Sequence, residues 1–345
     1  MGRGGPFEGL ATDEFVILNG RANWWPDTEK LSRDVTHSEH HSPSAPLMAA
    51  QMPMGAMAAE RAFDATQIVT IEGAQPQAVL LRWVSDAQET AHFGRFGLIV
   101  EAGASVVLLE SYEDRAGSEC FADYLIEIFV KPGGRVERIA ICDDNSATVS
   151  IASAEVHLEK GAAFCQTILT SGAKRQRIET QVSHPGGGAT VRLDGLYLLS
   201  DRRHADITTV VTHAGADGVT DQLIKGVVRD QARGVFQGRI VVSPGADKTD
   251  ARMGHHALIL SDKAEVDAKP ELEIYADDVV CAHGNTVGAL DEEALFYAKA
   301  RGIADTEARA MLTQAFLGEV VDRIVHDGAR EVARAWVATQ LGAAR

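Results

Sequence analysis

The 345-residue chain lacks most of the features that mark common protein classes. It contains no run of about 20 apolar residues, the length a helix needs to cross a bilayer, so no membrane-spanning helix is expected. No basic segment followed by an apolar stretch opens the chain, so no secretory leader is expected. Basic residues are outnumbered, 33 Lys and Arg against 49 Asp and Glu, for a net charge of −16. No Lys/Arg run offsets that balance. Nucleic acid and anionic membranes need a basic face to neutralise phosphate and are therefore not expected partners. The four cysteines, Cys120, Cys142, Cys165 and Cys281, form no C-x-x-C pair. Their scatter gives neither a disulfide framework nor a zinc knuckle, and it fits reduced thiols in a cytoplasmic protein.

Several catalytic signatures are missing as well. Without G-x-x-x-x-G-K-[S/T], no P-loop ATP site is expected in this chain. Without G-x-S-x-G or H-E-x-x-H, there is neither a nucleophile elbow nor a zincin helix. The glycines near residue 2 follow no strand and form no dinucleotide loop. Aromatics make up only 6% of the chain while glycine reaches 32 residues, which suits thin layers and many turns better than a large aromatic core.

What the chain does have is a repeat. From about residue 68 to 283, short runs of Val, Ile and Leu alternate with turns such as Lys131-Pro-Gly-Gly-Arg135, His184-Pro-Gly-Gly-Gly188 and Ser243-Pro-Gly-Ala-Asp247. Gly103, Gly134, Gly161, Gly188, Gly215 and Gly245 recur at intervals of 31, 27, 27, 27 and 30 residues. A near-constant period in this range marks an architecture in which each repeat buries its apolar face by stacking on the next. Each unit holds strand and turn, with no room for a helical hairpin, so an all-β solenoid, a parallel β-helix, is expected over residues 65–289. A β-sandwich with irregular loops shares the same composition.

The period then changes. Asp291-Glu-Glu-Ala-Leu-Phe-Tyr-Ala-Lys-Ala-Arg301 places acids in a first helical turn and bases in the last, with Gly302 as the stop. A second helix is expected over 306–324, with Ala308, Met311, Leu312, Ala315, Phe316 and Glu319–Val320 at the spacing of one stripe, and a third over 331–341. Residues 290–345 thus form a small helical module. Residues 1–64 read as an irregular segment with one strand over 15–20 and one short helix near 57–63. Four methionines there, Met48, Met52, Met54 and Met57, make a pliable apolar stretch.

Two histidine groups and one short motif carry candidate chemistry. His37, His40 and His41 lie close enough in sequence to hold a metal, although in a polar, Pro-flanked stretch such binding is adventitious. His255 and His256 are adjacent, so on a strand they face opposite ways. In Asp277-Asp-Val-Val-Cys-Ala-His-Gly284, residues two apart on a strand share a face, which sets Cys281 beside His283. A thiolate and an imidazole suit iron and iron–sulfur clusters. The strand offers two ligands where a cluster takes about four, so the fold or a second chain must supply the rest. The same pair also describes a buried cysteine beside a hydrogen-bonded histidine.

The motifs from residue 220 onward resemble the core of the SufB/SufD family. They are Lys225-Gly-Val-Val-Arg229, Arg233-Gly-Val-Phe-Gln-Gly-Arg239, Pro244-Gly-Ala-Asp-Lys-Thr-Asp250 and Leu258-Ile-Leu-Ser-Asp262. Lys269-Pro-Glu-Leu-Glu-Ile-Tyr-Ala-Asp-Asp278, Cys281-Ala-His-Gly284, Thr286-Val-Gly288 and Asp291-Glu-Glu-Ala-Leu-Phe-Tyr297 continue the likeness. It is dense over 220–303 and looser back to about 65. His283-Gly284 with no Glu after the histidine is similar to the SufD side of that family. The resemblance implies a right-handed parallel β-helix followed by helices. It also implies a non-enzymatic scaffold role in iron–sulfur cluster assembly, pairing with a SufB-like subunit through β-helix coils and with a SufC-like ABC ATPase through the helices.

By the same resemblance, Cys281 and His283 stand where a transient cluster or its iron sits at the subunit interface. SufD-like chains usually begin with a longer helical region, so the amino-terminal part is expected to be shortened or replaced. Two other readings remain at this point: a self-associating structural solenoid without a metal role, which would form a homodimer, and a β-helix carbohydrate-active enzyme recruiting Asp277, Asp278 and His283.

Overall fold

The structure, a computed structural model, describes residues 5–11, 13–18, 21–24, 35–39, 56–62, 67–74, 76–86, 91–115, 117 and 119–342. The chain order is β1 (Asp13–Leu18), β2 (Arg21–Trp24), β3 (Val35–Glu39), α1 (Ala56–Arg61), β4 (Gln67–Ile71), β5 (Gln77–Ser85), β6 (Ala91–Val100), β7 (Ser105–Asp114) and β8 (Phe121–Val130). It continues with β9 (Arg135–Asp143), β10 (Val149–Leu158), β11 (Ala163–Thr170), β12 (Arg175–His184), β13 (Thr190–Leu199), β14 (His204–His213) and β15 (Val219–Val228). The last elements are β16 (Arg233–Val242), β17 (Asp250–Ile259), β18 (Glu265–Ile274), β19 (Val280–Gly288), α2 (Glu292–Ala300), α3 (Asp305–Val321) and α4 (Asp327–Gly342).

From β4 onward the strands alternate between two sheets. One runs β19-β17-β15-β13-β11-β9-β7-β5-β1-β2 and the other β18-β16-β14-β12-β10-β8-β6-β4-β3. Neighbours in the body pair parallel and without register shifts, as in Val149↔Phe121 and Val219↔Asp250. Each coil thus lays one strand on each face, which is the parallel β-helix expected from the repeat. Among the described strands, antiparallel pairing occurs at β1–β2 and β3–β4, and a single antiparallel bridge joins Ala173 to His204.

The recurrent glycines mark the same corner in six successive coils, from β6–β7 to β16–β17, where an even-numbered strand turns into the next odd-numbered one. Gly103, Gly161, Gly188 and Gly245 sit there at φ of 70°, 69°, 83° and 82°, a left-handed conformation that costs a glycine nothing. At two corners a neighbour of the expected glycine takes that role: Gly133 (68°) in place of Gly134, and Asp217 (60°) in place of Gly215.

The pleat sends alternate residues inward. The interior is a continuous apolar column that includes Phe96, Ile126, Phe164, Ile207, Phe236 and Ile240. It also encloses one charged pair, Arg138 Nε to Glu110 Oε2 at 2.6 Å, with both side chains almost wholly buried. Trp83 Nε1 donates to the same glutamate at 2.8 Å, and Gln166 Oε1 accepts from Arg138 Nη1 at 2.6 Å. These bonds satisfy the charges where water cannot.

The outer face of the odd-numbered sheet is buried too. Leu109, Ile139, Ile141, Leu169 and Leu196 pack under Leu317, Val320, Val321, Trp336 and Val337 of α3 and α4. Strands covered on both faces read as unbroken apolar runs, as in Val106-Val-Leu-Leu109. Polar ties fix the helices: Lys225 Nζ donates to Phe316 O at 2.9 Å and pairs with Glu319, and Arg323 reaches Asp194 at 3.0 Å and Asp221 at 2.5 Å.

The three expected helices form with shifted bounds, and the α3 stripe is corrected. Its buried residues are Ala308, Thr313, Leu317, Val320 and Val321, while Met311 is half exposed. The helix serves two clusters. Its first half packs on α2, and its second half on the sheet and α4, so the buried face rotates along its length.

At the corners of β12 and β14, His184 and His213 lie edge to face, 4.2 Å between ring centroids, and both are buried. Gly218 leaves the room: a Cβ there would fall 2.4 Å from His184 Cε1. Burial pulls the His184 imidazolium down to about 4, and burial plus the neighbouring His184 pulls His213 down to about 3. The unfolded chain takes up both protons near the ordinary histidine value, while the folded chain refuses them. Their contribution is therefore complete above about pH 6.5 and is lost as pH falls toward 4 and below. Between about pH 6.5 and 5 each group is worth about 2 kcal/mol. We expect urea unfolding free energies to drop between pH 7 and pH 5. His184→Asn, which keeps an acceptor for the Gly186 N–H, should reduce that drop by about 2 kcal/mol. An unchanged pH slope in the variant would contradict this.

Candidate functional site

Among the described residues, β18 and β19 are the last strands of their sheets, and each pairs on one edge only. The chain then leaves the solenoid for α2, started by Asp291, whose carboxylate accepts from the Glu293 N–H at 2.9 Å. Nothing in the described structure stacks on this terminal coil. A residue on an interior column is open here: Val287 is 43% exposed, while its register partner in the preceding coil, Ala257, is buried.

Register fixes which β19 side chains turn inward. Cys281 pairs with Ala251, His283 with Met253 and Asn285 with His255. Those three β17 residues are all buried. Cys281, His283 and Asn285 therefore continue the interior columns outward and stand side by side on one face of an open edge. The expected juxtaposition of Cys281 and His283 is what the strand gives. Cys281 is partly buried against the end of the apolar column, and His283 is exposed. Burial, with a smaller contribution from Asp250, pushes the Cys281 thiol up, opposed by a backbone hydrogen bond from Ala251.

His255 and His256 face opposite ways, as strand geometry requires. His256 points outward, its Nδ1 at 2.7 Å from Thr286 Oγ1. His255 points inward, between Tyr197 Oη at 2.9 Å and Asn285 Oδ1 at 2.7 Å. That connection is absent from the sequence reading. One signal for it exists: residues 255 and 285 are one repeat length apart, so they are neighbours in adjacent coils.

The other candidate residues lie elsewhere. Asp277 and Asp278 belong to the corner before β19, where the Asp277 N–H donates to Asp247 and Asp278 takes a left-handed φ of 53°. Cys120 and Cys142 are buried free thiols, and Cys165 is partly buried. Burial pushes Cys120 up to about 11 and Cys142 well above the ordinary thiol value. His40 and His41 lie outside the described residues, as does the side chain of His37.

A soft sulfur and an imidazole nitrogen fit iron or a cluster in kind. They fall short in number. No group of three His, Cys, Asp or Glu able to hold a metal occurs among the described residues. The edge therefore displays two side chains of a kind that ligates iron, side by side on an open strand. No described helix is long and apolar enough to cross a membrane.

Residues 83–316 match the family described as SUF system FeS cluster assembly, SufBD core domain. The chain is 32% identical over 293 residues to the iron–sulfur cluster assembly protein SufD of Escherichia coli (strain K12), covering 82% of this chain and 69% of that protein. It is 31% identical over 238 residues to an iron–sulfur cluster assembly SufBD family protein of a Synechocystis strain, covering 67% and 52%. It is 26% identical over 264 residues to SufD of Bacillus subtilis (strain 168), covering 72% and 57%. The matches thus span between about half and two thirds of these relatives' lengths. With the β-solenoid and its Cys281-Ala-His-Gly284 edge, they establish that this chain belongs to the SufB/SufD family and is SufD-like.

Proposed function

We propose that the chain is a scaffold subunit of a cytoplasmic SUF-type assembly complex, and that its β18–β19 end pairs with a SufB-like subunit to complete a transient iron–sulfur or iron site. The observation that carries this is the open terminal coil. It leaves backbone donors and acceptors of β19 unpaired and presents Cys281 and His283 on the same edge. An unpaired parallel strand edge is a template for another strand, and pairing there satisfies the backbone while bringing two ligand sets together.

In this reading the cluster is cargo. His283 offers a ring nitrogen at the exposed position, and Cys281 offers a thiol that must lose its proton on ligation. The energy source lies in another subunit, a SufC-like ABC ATPase. The surface for it is the helical module, on which Phe296 and Tyr297 stand 75% and 62% exposed. Large exposed aromatics clustered on one module mark an interaction surface. Glu307, Arg309 and Gln314 are exposed on the same module.

The open edge also supports a homodimer of the isolated chain, since the same backbone groups can pair with a second copy. The carbohydrate-enzyme reading has no observation in its favour. The residues it would use, Asp277 and Asp278, form an exposed corner whose backbone groups bond to Asp247 and Lys248.

Affinity purification of this chain co-expressed with SufB-like and SufC-like partners should yield a stoichiometric complex. His283→Ala should leave that complex intact and lower its cluster content several-fold. Normal cluster content in the variant would remove His283 from the site, and elution of the chain alone would remove the pairing. The raised Cys281 thiol makes a second expectation. In the isolated chain, alkylation of Cys281 by iodoacetamide, followed by peptide mass mapping, should be slower than that of free cysteine at pH 7.5 and should accelerate only at higher pH. A rate at or above that of free cysteine at pH 7.5 would contradict a protonated, partly buried thiol.

A further inference from the structure

The terminal coil is also tied to a buried polar chain. Tyr197 on β13 and His255 on β17 are both fully buried inside the solenoid. Glycines make room for the phenol: a Cβ on Gly226 would lie 1.9 Å from Tyr197 Cζ, and one on Gly234 2.5 Å from its Cε2. The ring therefore reaches past β15, and its hydroxyl meets His255 Nε2 at 2.9 Å. The imidazole lies flat on Phe236, with centroids 4.9 Å apart and planes 7° apart. Its other nitrogen, Nδ1, meets the side-chain oxygen of Asn285 at 2.7 Å. Asn285 is exposed on β19, two residues beyond His283 and on the same face.

Chemistry fixes the direction of these bonds. Burial raises the Tyr197 phenol, so it stays protonated. Its hydroxyl has no other acceptor among the described residues, so its proton points at His255 Nε2. Burial likewise lowers His255, which stays neutral. A neutral imidazole that accepts at Nε2 carries its proton at Nδ1. That N–H donates to Asn285 Oδ1, and the amide is held with its oxygen inward. Its two Nδ2 protons then face the open edge beside His283. An exposed asparagine without such an anchor would rotate freely.

We propose that Asn285 is a positioning residue of the candidate site, donating an N–H···S hydrogen bond from its fixed amide to a sulfide of the cluster bound at His283 and Cys281. This deepens the scaffold reading above and rests on it. Sulfide is anionic and accepts such bonds, and hydrogen bonds to cluster sulfurs are one of the protein's means of setting reduction potential. A donor there favours the reduced state, which carries one more negative charge. If Asn285 did no more than cap His255, only its oxygen would matter, and nothing at the cluster would change on losing the amide protons.

The test uses the full chain in complex with its SufB-like and SufC-like partners, reconstituted with ferrous iron and sulfide. Asn285→Ala should retain complex assembly and shift the cluster's reduction potential to more negative values. Tyr197→Phe keeps the packed ring but frees the amide, and should shift the potential in the same direction by a smaller amount. Nitrogen-15 NMR of the wild-type chain should show His255 protonated at Nδ1 and bare at Nε2. An unchanged potential in both variants, or a His255 proton on Nε2, would overturn the role of Asn285. A His283→Ala complex with undiminished cluster loading would overturn the scaffold reading at this edge and Asn285 with it. Loading lost in His283→Ala with potentials unmoved in the other two variants overturns the positioning role alone.

Discussion

Each coil of this solenoid satisfies the backbone of the one before it. β15 pairs with β13 on one edge and β17 on the other, residue for residue. The stacking of side chains follows the same rule, because parallel pairing without register shifts sets every inward residue on the corresponding residue of the next coil. The rule has to end somewhere. At β18 and β19 it leaves an unpaired backbone edge and interior columns without a lid, and the candidate site occupies that place. The candidate site is thus a consequence of the architecture: positions that are core in the preceding coil, at Ala251 and Met253, carry Cys281 and His283 at the open edge of the last.

The body behind the edge is built to hold it still. Charged and aromatic groups are locked into the interior by bonds that reach across coils, as Arg138 does to Glu110 and Gln166. The helices α3 and α4 cover the outer face of the odd-numbered sheet and are tied down through Lys225 and Arg323. One helical module therefore does two things. Its buried side completes the core, and its free side exposes Phe296 and Tyr297, where the proposed partner would bind. That module rests on β13 and β15, two and one strands from β17, where His255 meets Asn285.

Much of this was legible in the sequence, and the gaps have physical causes. The glycine period counted coils because the same corner, between an even-numbered strand and the next odd-numbered one, takes a left-handed residue in successive coils. Where Asp217 or Gly133 fills that conformation instead, the count survived and the position slipped by a residue or two. The pairing of Cys281 with His283 followed from the two-residue period of a strand. Their openness did not, since exposure depends on which coil is last. The face of α3 was misjudged at Met311 because a helix that packs on two bodies has no single stripe. Gly226 within Lys225-Gly-Val-Val-Arg229 looked like a motif without a reason. The reason is the Tyr197 ring lying where its Cβ would be, a contact between residues 29 apart that only the coil register reveals.

Amide hydrogen–deuterium exchange on this chain, alone and in complex with a SufB-like partner, tests the central claim most directly. The account predicts that β19 amides exchange quickly in the isolated monomer and become protected on complex formation, with the largest change around Cys281 and His283. Protection confined to the outer face of the even-numbered sheet or to the β1–β4 end, with β19 unchanged, would contradict it.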